Sequence, residues 1–244
     1  MKKIPSLFYL LLLFLFTGKS SANTEILLNQ QYLKFDKAPL LAEVLANIEN
    51  KQNIYWPAAT FYSISDKNIE ITRNIILKRL SAITKNKQTD EIINSLKRTL
   101  LNWHIAERLP IKINYDLART VNAHNPVITA GQYILSAYSR SSRVIIFGAL
   151  KDKTELIIPH KNHTLAADYI TDDMLSSLAD TEQMVLIQAD GRIIEVDTLD
   201  WNKTPIEAMP GSQIYIPFKV SFGDNKMKLL NQQIITLAVN RVMP

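Results

Sequence analysis

The chain has 244 residues, 47% of them apolar, with 6 glycines and 10 prolines. That describes a folded protein with room for two small cores, and it excludes collagen-like, low-complexity and disordered chains. The absence of cysteine excludes disulfides, thiolate metal sites and lipid attachment at an N-terminal cysteine, and a formal charge of +5, nowhere gathered into a basic stripe, makes no case for nucleic acid.

Residues 1–22 read as a cleavable signal peptide. Lys2 and Lys3 form a basic start, residues 7–16 are an unbroken apolar run, and Ser20-Ser21-Ala22 supplies the small residues for cleavage before Asn23. That apolar run spans about half a bilayer core, too little for a permanent anchor. Loss of Lys2, Lys3 and Lys19 lowers the charge to +2. The expected mature chain is a soluble periplasmic protein.

A first domain is expected over residues 23–140. Residues 24–28 and 31–35 read as strands. Leu41, Val44, Leu45 and Ile48 then share one helical face over residues 40–48. Residues 54–57 suggest another strand, stopped by Pro57. Two amphipathic helices follow within residues 65–108, joined by the polar segment 84–89. Ile69, Ile76, Leu80 and Ile83 line the first, and Ile92, Leu96, Leu100 and Trp103 the second, with Ser65 and Thr89 as expected N-caps. Such an antiparallel hairpin needs a surface on which to bury both stripes. Arg108 falls in the expected last turn, where a cation complements the helix dipole. Residues 111–115 and 133–138 read as the closing strands.

Residues 141–222 repeat the plan, with strands at 144–150 and 156–159 about a polar turn at 151–154. A short helix is expected over 164–170. Asp190-Gly191 then reads as a two-residue hairpin turn between β-rich runs, and Pro210-Gly211 launches a strand that stops at Pro217. Two strand-strand-helix openings suggest a tandem duplication. Residues 223–244 carry a final amphipathic helix with Met227, Leu230, Ile234, Leu237 and Ala238 on its apolar face, and Gln232, Gln233, Thr236 and Asn240 opposite.

Catalytic chemistry is not displayed. His160 and His163 are spaced like ligands on a helix, but Pro159 precedes them, the context is a turn, and no carboxylate is matched to them, so no metal is expected. Asp172 and Asp173 are adjacent and would point apart on a helix or strand. They read as a helix N-cap. The chain has no Gly-x-Ser-x-Gly elbow, P-loop or Gly-x-Gly-x-x-Gly, and no cofactor is expected. Glycosidase carboxylates can lie far apart in sequence, which leaves a secreted polysaccharide-modifying enzyme as an unsupported alternative.

Six fragments in order carry a resemblance: Trp56-Pro57, Arg108-Leu109-Pro110, Asp190-Gly191, Trp201-Asn202, Pro210-Gly211 and Leu230-Asn231-x-Gln233-Ile234-Ile235. Together they resemble the GfcC-type periplasmic capsule proteins, which are related in domain plan to polysaccharide-export pores. The one departure is Ala189 before the Asp-Gly turn, where related modules often carry proline.

The resemblance implies an α+β fold of two tandem β-grasp domains (ubiquitin-like, SLBB-like), a helical hairpin inserted in the first and packed on the second, and a C-terminal amphipathic helix. It implies a non-catalytic protein of capsule or exopolysaccharide export. Its partners would be other export proteins, an outer-membrane β-barrel or the polysaccharide. It also places Arg108 in a pocket between the domains, holding either a domain-locking carboxylate or an anionic sugar, with the lock favoured. Trp56, Trp201 and Asn202 become candidates for glycan or interdomain contact, whereas Trp103 lies on the hairpin stripe and reads as core. An oligomeric export channel is the other alternative; the missing lipidation cysteine and the short chain ahead of the first domain count against it.

Overall fold

The computed structural model describes residues 23–64, 68–83, 86–151 and 155–243, which form two mixed five-stranded sheets in sequence. The expected signal peptide, the expected cap Ser65, and parts of the segments 84–89 and 151–154 lie outside the described residues.

The first sheet begins with β1 (Thr24–Leu28) and β2 (Gln31–Phe35). Ile26 and Leu28 are buried while Leu27 between them is exposed, the period-two alternation of a strand covered on one face. Helix α1 (Leu41–Ala46) covers that face with Leu41, Val44 and Leu45. Strands β3 (Thr60–Ser63), β4 (Glu107–Arg108) and β5 (Gly131–Ser136) complete the order β2-β1-β5-β3-β4, with β1 and β5 parallel. The strand expected at 54–57 is instead a 3-10 turn, Trp56–Ala58, because Pro57 suits a first helical turn and cannot donate to a ladder. The strand expected at 111–115 has no ladder partner among the described residues. Ile113 is buried there, but the Asn114 side chain accepts the Leu117 N–H at 2.9 Å and starts a helix, α4 (Tyr115–Thr120).

The inserted hairpin is α2 (Asn68–Ser81) and α3 (Lys87–Asn102). The α3 cap is Asn86, whose side chain accepts the Thr89 N–H at 2.9 Å, so Thr89 receives the cap and does not supply it. Ile76, Leu80, Ile93, Leu96, Leu100 and Trp103 are buried in the core of the second sheet, not the first. The hairpin thus ties the two halves together through apolar area removed from water.

The second sheet contains β6 (Arg143–Gly148), β7 (Glu155–Pro159), β8 (Gln183–Ile187), β9 (Ile193–Asp197) and β10 (Gln213–Ile216). Its order is β7-β6-β10-β8-β9, with β6 and β10 parallel. Taken by rank along the chain, this is the order of the first sheet. The expected helix at 164–170 is a 3-10 turn, Ala166–Tyr169. The β8–β9 loop has three residues, not two: the Gly191 N–H bonds Gln188 O at 2.8 Å, and Gly191 alone takes a positive φ, +93°. The Gln188 N–H closes the loop on Arg192 O at 2.9 Å, leaving Ala189, Asp190 and a left-handed Gly191 between the strands.

Helix α5 (Asn225–Val239) lies on the second sheet and against α2, with Leu230, Ile234, Leu237 and Ala238 buried. Within its apolar face sits Asn231, whose Oδ1 accepts from Tyr215 Oη at 2.8 Å and Phe218 N at 3.0 Å, and whose Nδ2 donates to Phe218 O at 2.8 Å. No helix among the described residues is long and apolar enough to cross a membrane.

Candidate functional site

The two halves meet where the hairpin leaves for β4. Tyr62 of β3 pairs with Arg108 of β4, and the C-terminal tail runs alongside the approach to this short strand. Ile105 and Arg241 form an antiparallel bridge. The Ala106 N–H donates to Asn240 O at 3.0 Å, and the Val242 N–H to His104 O at 2.8 Å. Asn240, expected on the polar face of the last helix, is buried, and its Oδ1 accepts the Arg108 N–H at 2.7 Å. Tyr62 is fully buried, and its hydroxyl donates to Arg241 O at 2.9 Å. Burial pushes its phenol above the ordinary tyrosine range.

Arg108 is therefore a strand residue, six positions past the end of α3. The cation at that helix end is Arg73, whose Nη1 donates to Trp103 O at 2.8 Å and Leu100 O at 3.3 Å. Glu70 holds the same guanidinium through Nη2. This arrangement satisfies terminal helix carbonyls that would otherwise lack partners.

The Arg108 side chain crosses to the β8–β9 loop, where Nη2 donates to Ala189 O at 2.9 Å. A Cβ on Gly191 would lie 2.8 Å from Arg108 Cζ, so the glycine serves both the turn and the close approach of the guanidinium. Burial lowers the arginine's pKa, an effect opposed by Tyr62 and then by Asp190. The observed acceptor is a backbone carbonyl. The two-point carboxylate clamp at this junction belongs to Arg241, with Nη1 at 2.7 Å and Nη2 at 3.1 Å from the Glu155 oxygens. Its guanidinium sits 4.7 Å from the centre of the Trp103 ring, and the Trp103 N–H donates to Glu155 at 3.3 Å. Sequence reasoning missed Arg241 and Glu155 as partners. Arg241 was expected at the end of the last helix and instead stands two positions past it, beyond the cap Asn240.

Arg108 lines two clefts between the domains. The smaller holds about 140 Å³ and is bounded by Glu155, Gln188 and Arg241. The larger is an open groove of about 750 Å³ lined by Trp56 and Pro57, by Lys112 and Asn114, and by Asp190 to Arg192 at the β8–β9 turn. Trp56 and Arg108 are brought into this one groove. Trp201 and Asn202 are not: they belong to the crossover between β9 and β10, where Trp201 is 81% exposed. Its neighbours Asp200 and Lys203 border a separate cleft of about 500 Å³ that also holds Asp168, Asp172 and Asp180. Trp103 is buried.

The remaining polar motifs are local. His160 Nε2 lies 3.0 Å from Ala208 O, and the exposed His163 lies 3.7 Å from Glu207. Among the described residues no group of three or more His, Cys, Asp and Glu side chains gathers to hold a metal ion. Asp172 and Asp173 sit in a 3-10 turn, Asp172–Met174, whose N-cap is Thr171.

Residues 21–140 match the family described as capsule biosynthesis GfcC, N-terminal, and residues 155–243 match the family described as capsule biosynthesis GfcC C-terminal. The chain is also 26% identical, over 194 residues that cover 78% of each protein, to the uncharacterized protein YjbG of Escherichia coli strain K12. The first match covers the whole of the first sheet, the second covers β7 to β10 of the second sheet, and β6 lies between them. The chain belongs to the GfcC family of capsule biosynthesis proteins.

Proposed function

We propose that the protein works in the periplasm as a non-catalytic component of capsule or exopolysaccharide assembly and export across the outer membrane. It acts through contacts with other export proteins, with an outer-membrane β-barrel or with the glycan, after removal of residues 1–22 as a signal peptide. We also read the two sheets as tandem β-grasp domains. The support is their shared strand order, the parallel pairing of first and fifth strands in each, and the helix or helical turn between second and third.

The observation that carries the non-catalytic reading is how the charged side chains of the junction are used. Arg108 holds a carbonyl of the second half, and Arg241 holds Glu155 beneath Trp103 of the hairpin, so both guanidinium groups are spent on packing the junction. A channel role for α5 fits less well. Detaching it would uncover Leu230, Ile234 and Leu237 at a cost of roughly 6 kcal/mol, and would remove Asn231 from its partners Tyr215 and Phe218.

The test is a clean deletion of the gene scored for surface capsule and for periplasmic polysaccharide. The expected result is loss of surface polymer, restored by the wild-type gene and not by Arg108→Ala present at normal level. Unchanged surface polymer in the deletion would sink the export reading.

A further inference from the structure

We propose that the groove between the domains binds an acidic sugar residue of the exported polymer, with its carboxylate held by Lys112 and Arg192 and its ring set against Trp56. The inference rests on the export reading above and assigns that reading a ligand class and a site.

Charge is the first support. The groove lining holds three cations, Arg108, Lys112 and Arg192, against one anion, Asp190. Two of these are already engaged: Arg108 with Ala189 O, and Arg192 through Nε with Asp190 Oδ2 at 2.7 Å. The Arg192 Nη2 finds only the Met209 sulfur, at 3.8 Å, a weak acceptor. Lys112 is exposed and forms no ion pair among the described residues. The groove therefore presents a positive surplus with donors free to meet a carboxylate, the setting in which charge-assisted hydrogen bonds form.

Shape and chemistry are the second. A volume of about 750 Å³ lies in the range of small-molecule sites. Trp56 supplies an aromatic surface against which the CH face of a pyranose can pack, and Asn114 lines the groove with Lys112.

The Trp201 cleft provides an internal contrast. Trp201 follows its lining residue Asp200 in sequence, and the charged lining is Asp168, Asp172, Asp180 and Asp200 against Lys203 alone. Such a surface repels a uronate. An acidic sugar is thus directed to one tryptophan and away from the other.

The experiment titrates the mature chain calorimetrically with tetragalacturonate and, separately, with maltotetraose, a neutral chain of equal length. The acidic tetramer is expected to bind at least about tenfold more tightly, and Lys112→Glu or Arg192→Glu is expected to weaken it by about tenfold or more. Raising the ionic strength should weaken it further. Trp56→Ala should weaken it, whereas Trp201→Ala should leave it within about twofold. Thermal melting of each variant checks that it is folded. Three results would overturn the proposal: no heat with tetragalacturonate up to about 10 mM, equal binding of the neutral tetramer, or wild-type binding by a folded Lys112→Glu, Arg192→Glu double variant. In cells, a deletion that abolishes capsule while that double variant restores it in full would remove the site and leave the export reading standing.

Discussion

The Arg241 guanidinium meets the Glu155 carboxylate at two points, 2.7 and 3.1 Å, with the Trp103 ring centre 4.7 Å away. Three parts of the chain converge there: the tail, the first residue of β7 and the end of the hairpin. Both charges are mostly covered, with side-chain exposures of 12% and 18%. Removing one partner leaves the other buried without its mate. Glu155→Ala is expected to cost about 2 kcal/mol and to lower the melting temperature by roughly 4–8 °C. Melting within about one degree of wild type would show that the pair contributes nothing.

Asn231 anchors the last helix by three hydrogen bonds to Tyr215 and Phe218. Asn231→Leu keeps the branching at Cγ and strands a buried hydroxyl, a buried N–H and a buried carbonyl. A loss of about 3 kcal/mol in urea denaturation is expected, at one net kilocalorie per bond. A variant as stable as wild type would mean that water or a neighbour replaces all three.

Gly191 and Arg108 are coupled by contact. Gly191→Ala forces a side chain into a positive φ and against the guanidinium, so about 2 kcal/mol of destabilisation is expected. In an Arg108→Ala background the clash is gone and only the backbone strain remains. A double-mutant cycle should therefore return a coupling of about 1 kcal/mol. Strict additivity would refute the close approach.

Alkaline pH should unfold the protein through two phenols. Burial raises the pKa of Tyr62 and of Tyr215 above the ordinary value of 10.0. The unfolded chain ionises first, so the stability these groups contribute is complete below about pH 10 and is lost as pH rises towards their folded-state values. Tyrosinate absorbance from these two should appear only with the loss of circular dichroism. Tyr62→Phe should shift the alkaline midpoint upward. Early titration of both residues in folded protein would contradict their burial.

Trp201 is the opposite case. At 81% exposure it has little packing to lose, and Trp201→Ala should change stability by no more than about 0.5 kcal/mol. A quenching experiment with acrylamide should lose its most accessible tryptophan component in that variant.

Much of the fold was legible from periodicity. The bounds of β1 and β2, the buried faces of the hairpin helices, the apolar stripe of α5 and the Pro210-Gly211 turn all follow from local pattern, because one covered face imposes a period on the chain. The errors came where two local patterns compete. Ile111, Ile113 and Tyr115 alternate like a strand, yet Asn114 caps a helix. Tyr55-Trp56 looks β-rich, yet Pro57 closes a 3-10 turn. The hairpin was expected to run to Arg108, but α3 ends at Asn102, where Arg73 from the neighbouring helix takes the last carbonyls.

The candidate site divides in the same way. Trp56 and Arg108 stood out from sequence and share a groove, while Trp201, equally prominent as a letter, lies on a separate exposed crossover. Sequence alone determined most of the elements, the family resemblance and the arginine before Leu-Pro, since these rest on local spacing and side-chain type. Only the tertiary structure decided that Arg108 grips a carbonyl 81 residues away, that Arg241 finds Glu155, and that Lys112 and Arg192 face one groove. Hydrogen bonds and ion pairs between distant segments have no period. Their partners are chosen by how the two sheets and the hairpin pack, and that is a property of the whole chain.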